Sequence, residues 1–265
     1  MIKMEKLDHI KAIAFDADDT LWALQNYFEG VEDEYCDLLA DYGSKEEISA
    51  ALFETESGNM ADLGYGVKAF IISLVENAIK VSEGKASARL IGRIVEVGKS
   101  LLHVDAKPLE GVEKTLAKLR ERKASNGSDS SDASEASDAS IASIASKEGA
   151  SDRKYRLAVF TKGELMDQEN KLWRSGLQRY FDVVSIVSNK TPEAYRHLCK
   201  ELEVSPEQLV MVGNSFKSDI APALKIGASA IHIPFHTIWA HEKTEEFNHE
   251  RLRRISHFEE ILEIL

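Results

Sequence analysis

The sequence predicts an α/β protein with a mainly parallel sheet and two insertions. Three observations carry that expectation. Five short runs rich in Val, Ile and Phe are near-continuously apolar rather than alternating, as strands covered on both faces must be. Helical patterns separate the later runs, the alternation expected of parallel strands joined by helices. Between the first run and the second lies a long stretch with helical periodicity and no convincing strand, followed by a low-complexity tract.

The first strand is "IKAIAF" (10–15). It runs into "DADDTLW", which sets three carboxylates in four positions. Side chains two apart on a strand point the same way, roughly 6.5–7 Å from each other. Asp16 and Asp18 therefore face one site as the strand ends, while Asp19 turns elsewhere. Two acids held together need a cation or a shared proton, and hard carboxylate oxygens suit Mg²⁺. A solvated turn capping the next helix is the plainer reading of the same residues. An EF-hand is excluded, because loop position six is Leu21 rather than Gly and position twelve is Tyr27 rather than Glu.

Residues 22–105 read as an inserted helical module. "YFEGVEDEYCDLLADYG", "SKEEISAALFETES", "GVKAFIISLVENAIKV" and "SARLIGRIVEVGKSLL" each repeat apolar residues at steps of three and four. A helix of the main domain follows in 108–123, with Leu109, Val112, Leu116 and Leu119 on one face. Residues 124–152 contain a serine at every third position from 131 to 146 and few large apolar groups. Such a tract cannot offset the entropy of ordering its backbone and is expected to be a disordered loop. It joins a helix end to a strand start, the sheet edge opposite that where ligands bind.

The remaining strands are 155–160, 182–187, 208–212 and 229–233, with helices over 164–176, 191–204 and 218–227. Gly176 offers a C-terminal cap, Pro192 sits near a helix start, and Ser218 is the expected cap of the last of these helices. Each strand end delivers polar groups: Thr161 after the second, Lys190 after the third, and Asn214, Ser215 and Asp219 beyond a Gly turn after the fourth. Four parallel strands offering such groups at one edge form a converging site.

This set resembles the haloacid dehalogenase superfamily, whose motifs are an aspartate pair, a Ser/Thr after the second strand, a lysine and a late acidic turn. The resemblance covers 10–21 and about 106–265 outside the serine tract, with 22–105 placed where the family carries a helical type-1 cap. It implies a Rossmann-like core over 1–21 and 106–265. It also implies Asp16 as nucleophile, Asp18 as general acid/base, and Thr161 and Lys190 as holders of the phosphoryl group. Mg²⁺ would be bound by Asp16, the backbone carbonyl of Asp18, and Asp219 or Asn214. Asn214 departs from the acidic residue many members carry, so more of the charge falls to Asp219.

The implied activity is a Mg²⁺-dependent phosphatase acting on a small phosphorylated metabolite through an aspartyl-phosphate. Phosphosugar mutases and 2-haloacid dehalogenases share much of this chemistry, and a non-catalytic binding protein with a tethered loop is the reading from another class. The formal net charge of −12 argues against nucleic-acid partners and anionic membranes. Two distant cysteines, Cys36 and Cys199, and an N-terminus without a signal-peptide pattern point to the cytoplasm. His232, His236 and His241 beside Trp239 lack a zinc-binding spacing and are expected to pack, to lie on the surface or to line the site rim.

Overall fold

The computed structural model describes residues 7–123 and 153–265. Six parallel strands form one sheet in the order β3-β2-β1-β4-β5-β6. They are β1 (Ala12–Phe15), β2 (Arg156–Lys162), β3 (Val183–Val187), β4 (Leu209–Gly213), β5 (Ser229–His232) and β6 (Leu252–Arg254). The five expected strands are present within one or two residues at most ends. β6 is the addition: its sequence, Leu-Arg-Arg, carries no strand signal, and it forms only because Leu252 pairs with Ala230 at the sheet edge.

Alternate residues of the central strands serve two cores. Ile13, Phe15, Leu157, Val159, Val210 and Val212 pack under α5 (Val112–Glu121), α6 (Leu165–Ser175) and the C-terminal α9 (Ile261–Ile264). Ala12, Ala14, Ala158, Phe160 and Met211 face α7 (Pro192–Glu201) and α8 (Ala221–Lys225) on the other side. The alanines on this face leave room for Tyr195 of α7, which meets Phe160 edge-on at 4.8 Å. Each fully buried Ile, Leu, Val or Phe contributes about 1.5–3 kcal/mol of transfer free energy.

The helix expected over 218–227 is corrected. Ser215, not Ser218, is the cap, accepting a hydrogen bond from the Ser218 backbone N–H at 2.9 Å. A widened turn (Phe216–Ile220) follows, and α8 then opens on a segment whose Pro222 has no N–H to donate. Nor is Gly213 a turn: it is the last residue of β4, paired with His232 of β5.

Between β1 and α5 stand α1 (Gln25–Leu38), α2 (Lys45–Leu63), α3 (Val67–Val81) and α4 (Ala88–Lys99). They enclose their own core of Tyr35, Leu39, Ile48, Leu52, Leu74, Ala78 and Ile94. Tyr35 spends its hydroxyl proton on the Leu74 carbonyl (3.1 Å) and accepts from Asn77 Nδ2 (2.8 Å). Trp22, the first residue of the expected insertion, packs instead with the sheet core. No helix of the described residues is long and apolar enough to cross a membrane. The expectation of a disordered serine-rich loop over 124–152 lies outside the described residues.

Candidate active site

The strand order reverses at β1, which has β2 on one side and β4 on the other. In an open parallel sheet that reversal opens a crevice at the carboxyl ends. Asp16, Asp18, Thr161, Lys190, Asn214 and Asp219 all line one cavity there.

The loop after β1 explains how three neighbouring acids coexist. The backbone N–H groups of Leu21 and Thr20 both turn back to the Ala17 carbonyl, and Asp19 adopts a left-handed φ of 59°. That twist aims the Asp19 carboxylate at the start of α1, where it accepts from the N–H groups of Leu24 (2.8 Å) and Gln25 (3.0 Å). Asp19 thus does the capping of the plainer reading; it still borders the cavity with Asp16 and Asp18 rather than turning away from it, but its carboxylate is spent on the α1 N–H groups.

Asp16 is 7 % exposed and Lys190 3 %. The Lys190 ammonium donates to Asp16 and, at 2.6 Å, to Asp219 Oδ1. Burial alone would lower the affinity of Lys190 for its proton, but the two carboxylates outweigh that and hold it charged above the ordinary lysine value. Asp16 moves the other way. Burial first, and then the nearby Asp219 carboxylate, raise it to about 7 against the opposing pull of Lys190. One ammonium therefore serves two buried carboxylates, a site short of positive charge.

Asp18 faces a different set of donors. Lys171 reaches both of its oxygens at 2.9 Å, Gln168 Nε2 donates to Oδ2 at 2.7 Å, and Trp22 Nε1 donates to Oδ1 at 2.8 Å. Lys171 is 1 % exposed and also pairs with Asp167 at 3.1 Å. Gln168 gets this close because residue 163 is glycine at φ 144°; a Cβ there would lie 2.8 Å from Gln168 Nε2. None of this was legible beforehand, since Gln168 and Lys171 read as polar positions of an amphipathic helix. Their burial depends on Asp18, 150 and 153 positions away.

Thr161 is buried, and its hydroxyl makes no hydrogen bond among the described residues. The Thr20 hydroxyl stands 3.3 Å from both Asp16 Oδ2 and Asn214 Oδ1 and accepts from the Asn214 N–H, tying the β1 loop to the β4 end. Behind them His232 Nε2 meets the Asn214 carbonyl at 3.0 Å, and the Tyr195 hydroxyl reaches the Asp219 carbonyl at 3.0 Å.

The three histidines separate. His236 meets Asn26 of α1 at 3.0 Å, and His241 stacks on Phe53 of α2 at 4.3 Å. Their segment forms part of the rim, where Trp239 and Glu242 line the cavity. Glu242 pairs with Lys162 and accepts from the hydroxyls of Ser215 and Ser218. The helical insertion covers the opening with Phe28, Glu56, Asn59, Tyr65, Phe70 and Ser73. All six lie within 28–73.

For a divalent ion, the donor set offers the Asp16 and Asp219 carboxylates and the Asn214 amide oxygen, all hard ligands on one cavity. The charge shortfall around Lys190 fits a cation. Asp18 could add only its backbone carbonyl, because its carboxylate is committed to Lys171. Among the described residues no group of three or more His, Cys, Asp or Glu side chains is placed to hold a metal ion, so the set would need the Asn214 amide and a backbone carbonyl to complete it.

Residues 10–227 match the family model of haloacid dehalogenase-like hydrolases. An N-acylneuraminate-9-phosphatase from Mus musculus is 30% identical over 92 residues, 33% of this chain and 35% of that protein. A glyceraldehyde 3-phosphate phosphatase from Methanothermobacter thermautotrophicus is 37% identical over 82 residues, 29% of this chain and 36% of that one. The chain thus spans about a third of the length of these curated relatives. A haloacid dehalogenase-like family hydrolase from Xanthomonas campestris superposes with a TM-score of 0.74 at 28% identity, over 97% of this chain and 91% of the other.

Proposed function

The chain belongs to the haloacid dehalogenase-like hydrolases, and from that premise we propose that it is a Mg²⁺-dependent phosphatase of small phosphorylated metabolites. The observation that carries this reading is the buried Lys190 shared by Asp16 and Asp219, beside the unpartnered Thr161 hydroxyl and the clamped Asp18. The partial likeness to two phosphatases supports it. We read 22–105 as the cap over a Rossmann-like core, with Trp22 at its border packed into the sheet core, and the buried Cys36 and Cys199, which form no disulfide, as those of a cytoplasmic protein.

A phosphate monoester repels a carboxylate nucleophile, so the site must neutralise it first. Mg²⁺ held by Asp16, Asp219, Asn214 and the Asp18 backbone carbonyl would supply that neutralisation. Lys190 adds a fixed positive charge, and Thr161 offers a hydroxyl to an equatorial phosphoryl oxygen. A carboxylate oxygen of Asp16 attacks phosphorus and the bond to the alcohol oxygen breaks; Asp18, which must first take up a proton on one of its oxygens, gives it to the departing alkoxide. The carboxylate left on Asp18 is stabilised by the Lys171 ammonium. It then takes a proton from the water that attacks the phosphoryl-Asp16, releasing inorganic phosphate and regenerating both carboxyls.

Dehalogenation uses the same nucleophile but has no task for Asp18, so the four donor contacts built around that side chain favour phosphoryl transfer. The test is release of inorganic phosphate from p-nitrophenyl phosphate with added Mg²⁺. Activity is expected with Mg²⁺, lost in EDTA, and abolished by Asp16→Asn with the circular-dichroism spectrum unchanged. Full activity in Asp16→Asn would refute the covalent route.

A further inference from the structure

The cavity has a floor of strand ends and a roof of helices, and the roof's polar groups share one property. Glu56, on α2, lines the cavity and makes no hydrogen bond or ion pair among the described residues. Asn59 stands three residues on, on the same helix face. Its Nδ2 is committed to Glu76 Oε2 (2.5 Å) and Ser73 Oγ (3.1 Å), which leaves only its carbonyl oxygen to offer. Ser73 spends its proton on the Ala69 carbonyl at 3.0 Å. All three therefore present acceptors.

Among the described residues the cations lining the same cavity are Lys162, Lys171 and Lys190, and each is already bound to a carboxylate: Glu242, Asp18 with Asp167, and Asp16 with Asp219. A carboxylate on the leaving group would find no unpaired cation there and would face Glu56. A hydroxyl or amine would find acceptors, with its C–H surface against Phe28, Phe70 and Trp239.

We propose that this site selects phosphomonoesters whose alcohol carries hydrogen-bond donors and no carboxylate, with Glu56 as the specificity-determining residue and Asn59 beside it. The assignment rests on the phosphatase reading and narrows its substrate class. Like charges brought together in a closed site cost enough to give selectivity of tenfold or more.

The test compares kcat/KM for glycerol 3-phosphate and 3-phosphoglycerate, which differ by a CH₂OH in place of a carboxylate, at pH 8 with Mg²⁺. Wild-type protein should favour glycerol 3-phosphate by at least about tenfold. Glu56→Gln should narrow that ratio, and Glu56→Lys should reverse it. A wild-type preference for 3-phosphoglycerate, or a ratio unmoved in Glu56→Lys, would overturn the assignment while p-nitrophenyl phosphate hydrolysis still upheld the phosphatase. No hydrolysis of p-nitrophenyl phosphate by wild-type protein would sink both.

Discussion

A lysine is buried only where carboxylates compensate its charge, and Lys171 has two, Asp18 and Asp167. Burial opposes its charged form, yet the pair outweighs burial and raises it above the ordinary lysine value. Lys171→Met strands both carboxylates, so stability is expected to fall by about 3–5 kcal/mol. The same change should lower kcat by about 10²–10⁴ with KM little altered, because the proton-transfer step loses its positioned partner. Thermal unfolding and steady-state kinetics check the two effects separately. Lys171→Arg should restore part of kcat, and the pH-rate profile should shift in Lys171→Met, which a purely structural role would not produce. Glu56 makes the pH argument. Burial first, then Glu32, raise its carboxyl from 4.5 to about 7. A raised carboxyl contributes stability that is full below the unfolded value and is lost as pH rises through the folded one. Glu56→Gln should therefore match wild type near pH 5 and melt higher at pH 8. The gain is on the order of 1 kcal/mol after discounting for partial exposure.

At the scale of elements, the strand ends were the legible part of the site. Apolar runs stopping at Asp16, Thr161 and Asn214 mark where buried backbone meets solvent, and the sheet gathers those ends. The glycine after Val212 shows how far such reading reaches. It suggested a turn, but its role is space: a Cβ on Gly213 would lie 2.2 Å from Asp219 Oδ2. Gly213→Ala must push Asp219 away from Lys190 and from the Ser215 N–H it accepts at 2.9 Å. Displacements of about 1 Å in a reacting site cost roughly 10²-fold, so kcat should fall by about that factor while unfolding stays cooperative. Phosphate-release kinetics beside a thermal melt decide it. β6 was illegible for a related reason, since two of its three residues are arginines and only the β5 edge makes them a strand.

At the scale of the whole molecule, insertion and sheet meet around the cavity. Trp239 meets Tyr65 edge-on at 5.8 Å, His241 stacks on Phe53, and Lys68 pairs with Glu164 at 3.0 Å. The described residues that flank 124–152 lie elsewhere. Lys123 and Arg153 form an antiparallel bridge, and the Tyr155 hydroxyl donates to the Leu265 carbonyl at 2.8 Å, at the end of the sheet where β2 begins. The cavity lies at the opposite ends of the strands. Deleting 126–150 is therefore expected to leave kcat unchanged, measured on the same phosphate-release assay; a large loss would mean that the tract reaches the site.

The apolar runs, the helical periods and the polar residues that terminate them were enough to determine the α/β class, the sheet's parallel strands, the helical character of 25–99 and the six residues gathered at one edge. Such features are local: a strand or helix needs only its own spacing of side chains. Tertiary structure alone decided which charge neutralises which. Lys190 lies between Asp16 and Asp219, Lys171 holds Asp18, and Glu56 is left without a hydrogen-bond or ion-pair partner among the described residues. Those pairings depend on desolvation and on contacts between segments remote in sequence, and neither exists until the sheet and the helices above it have packed.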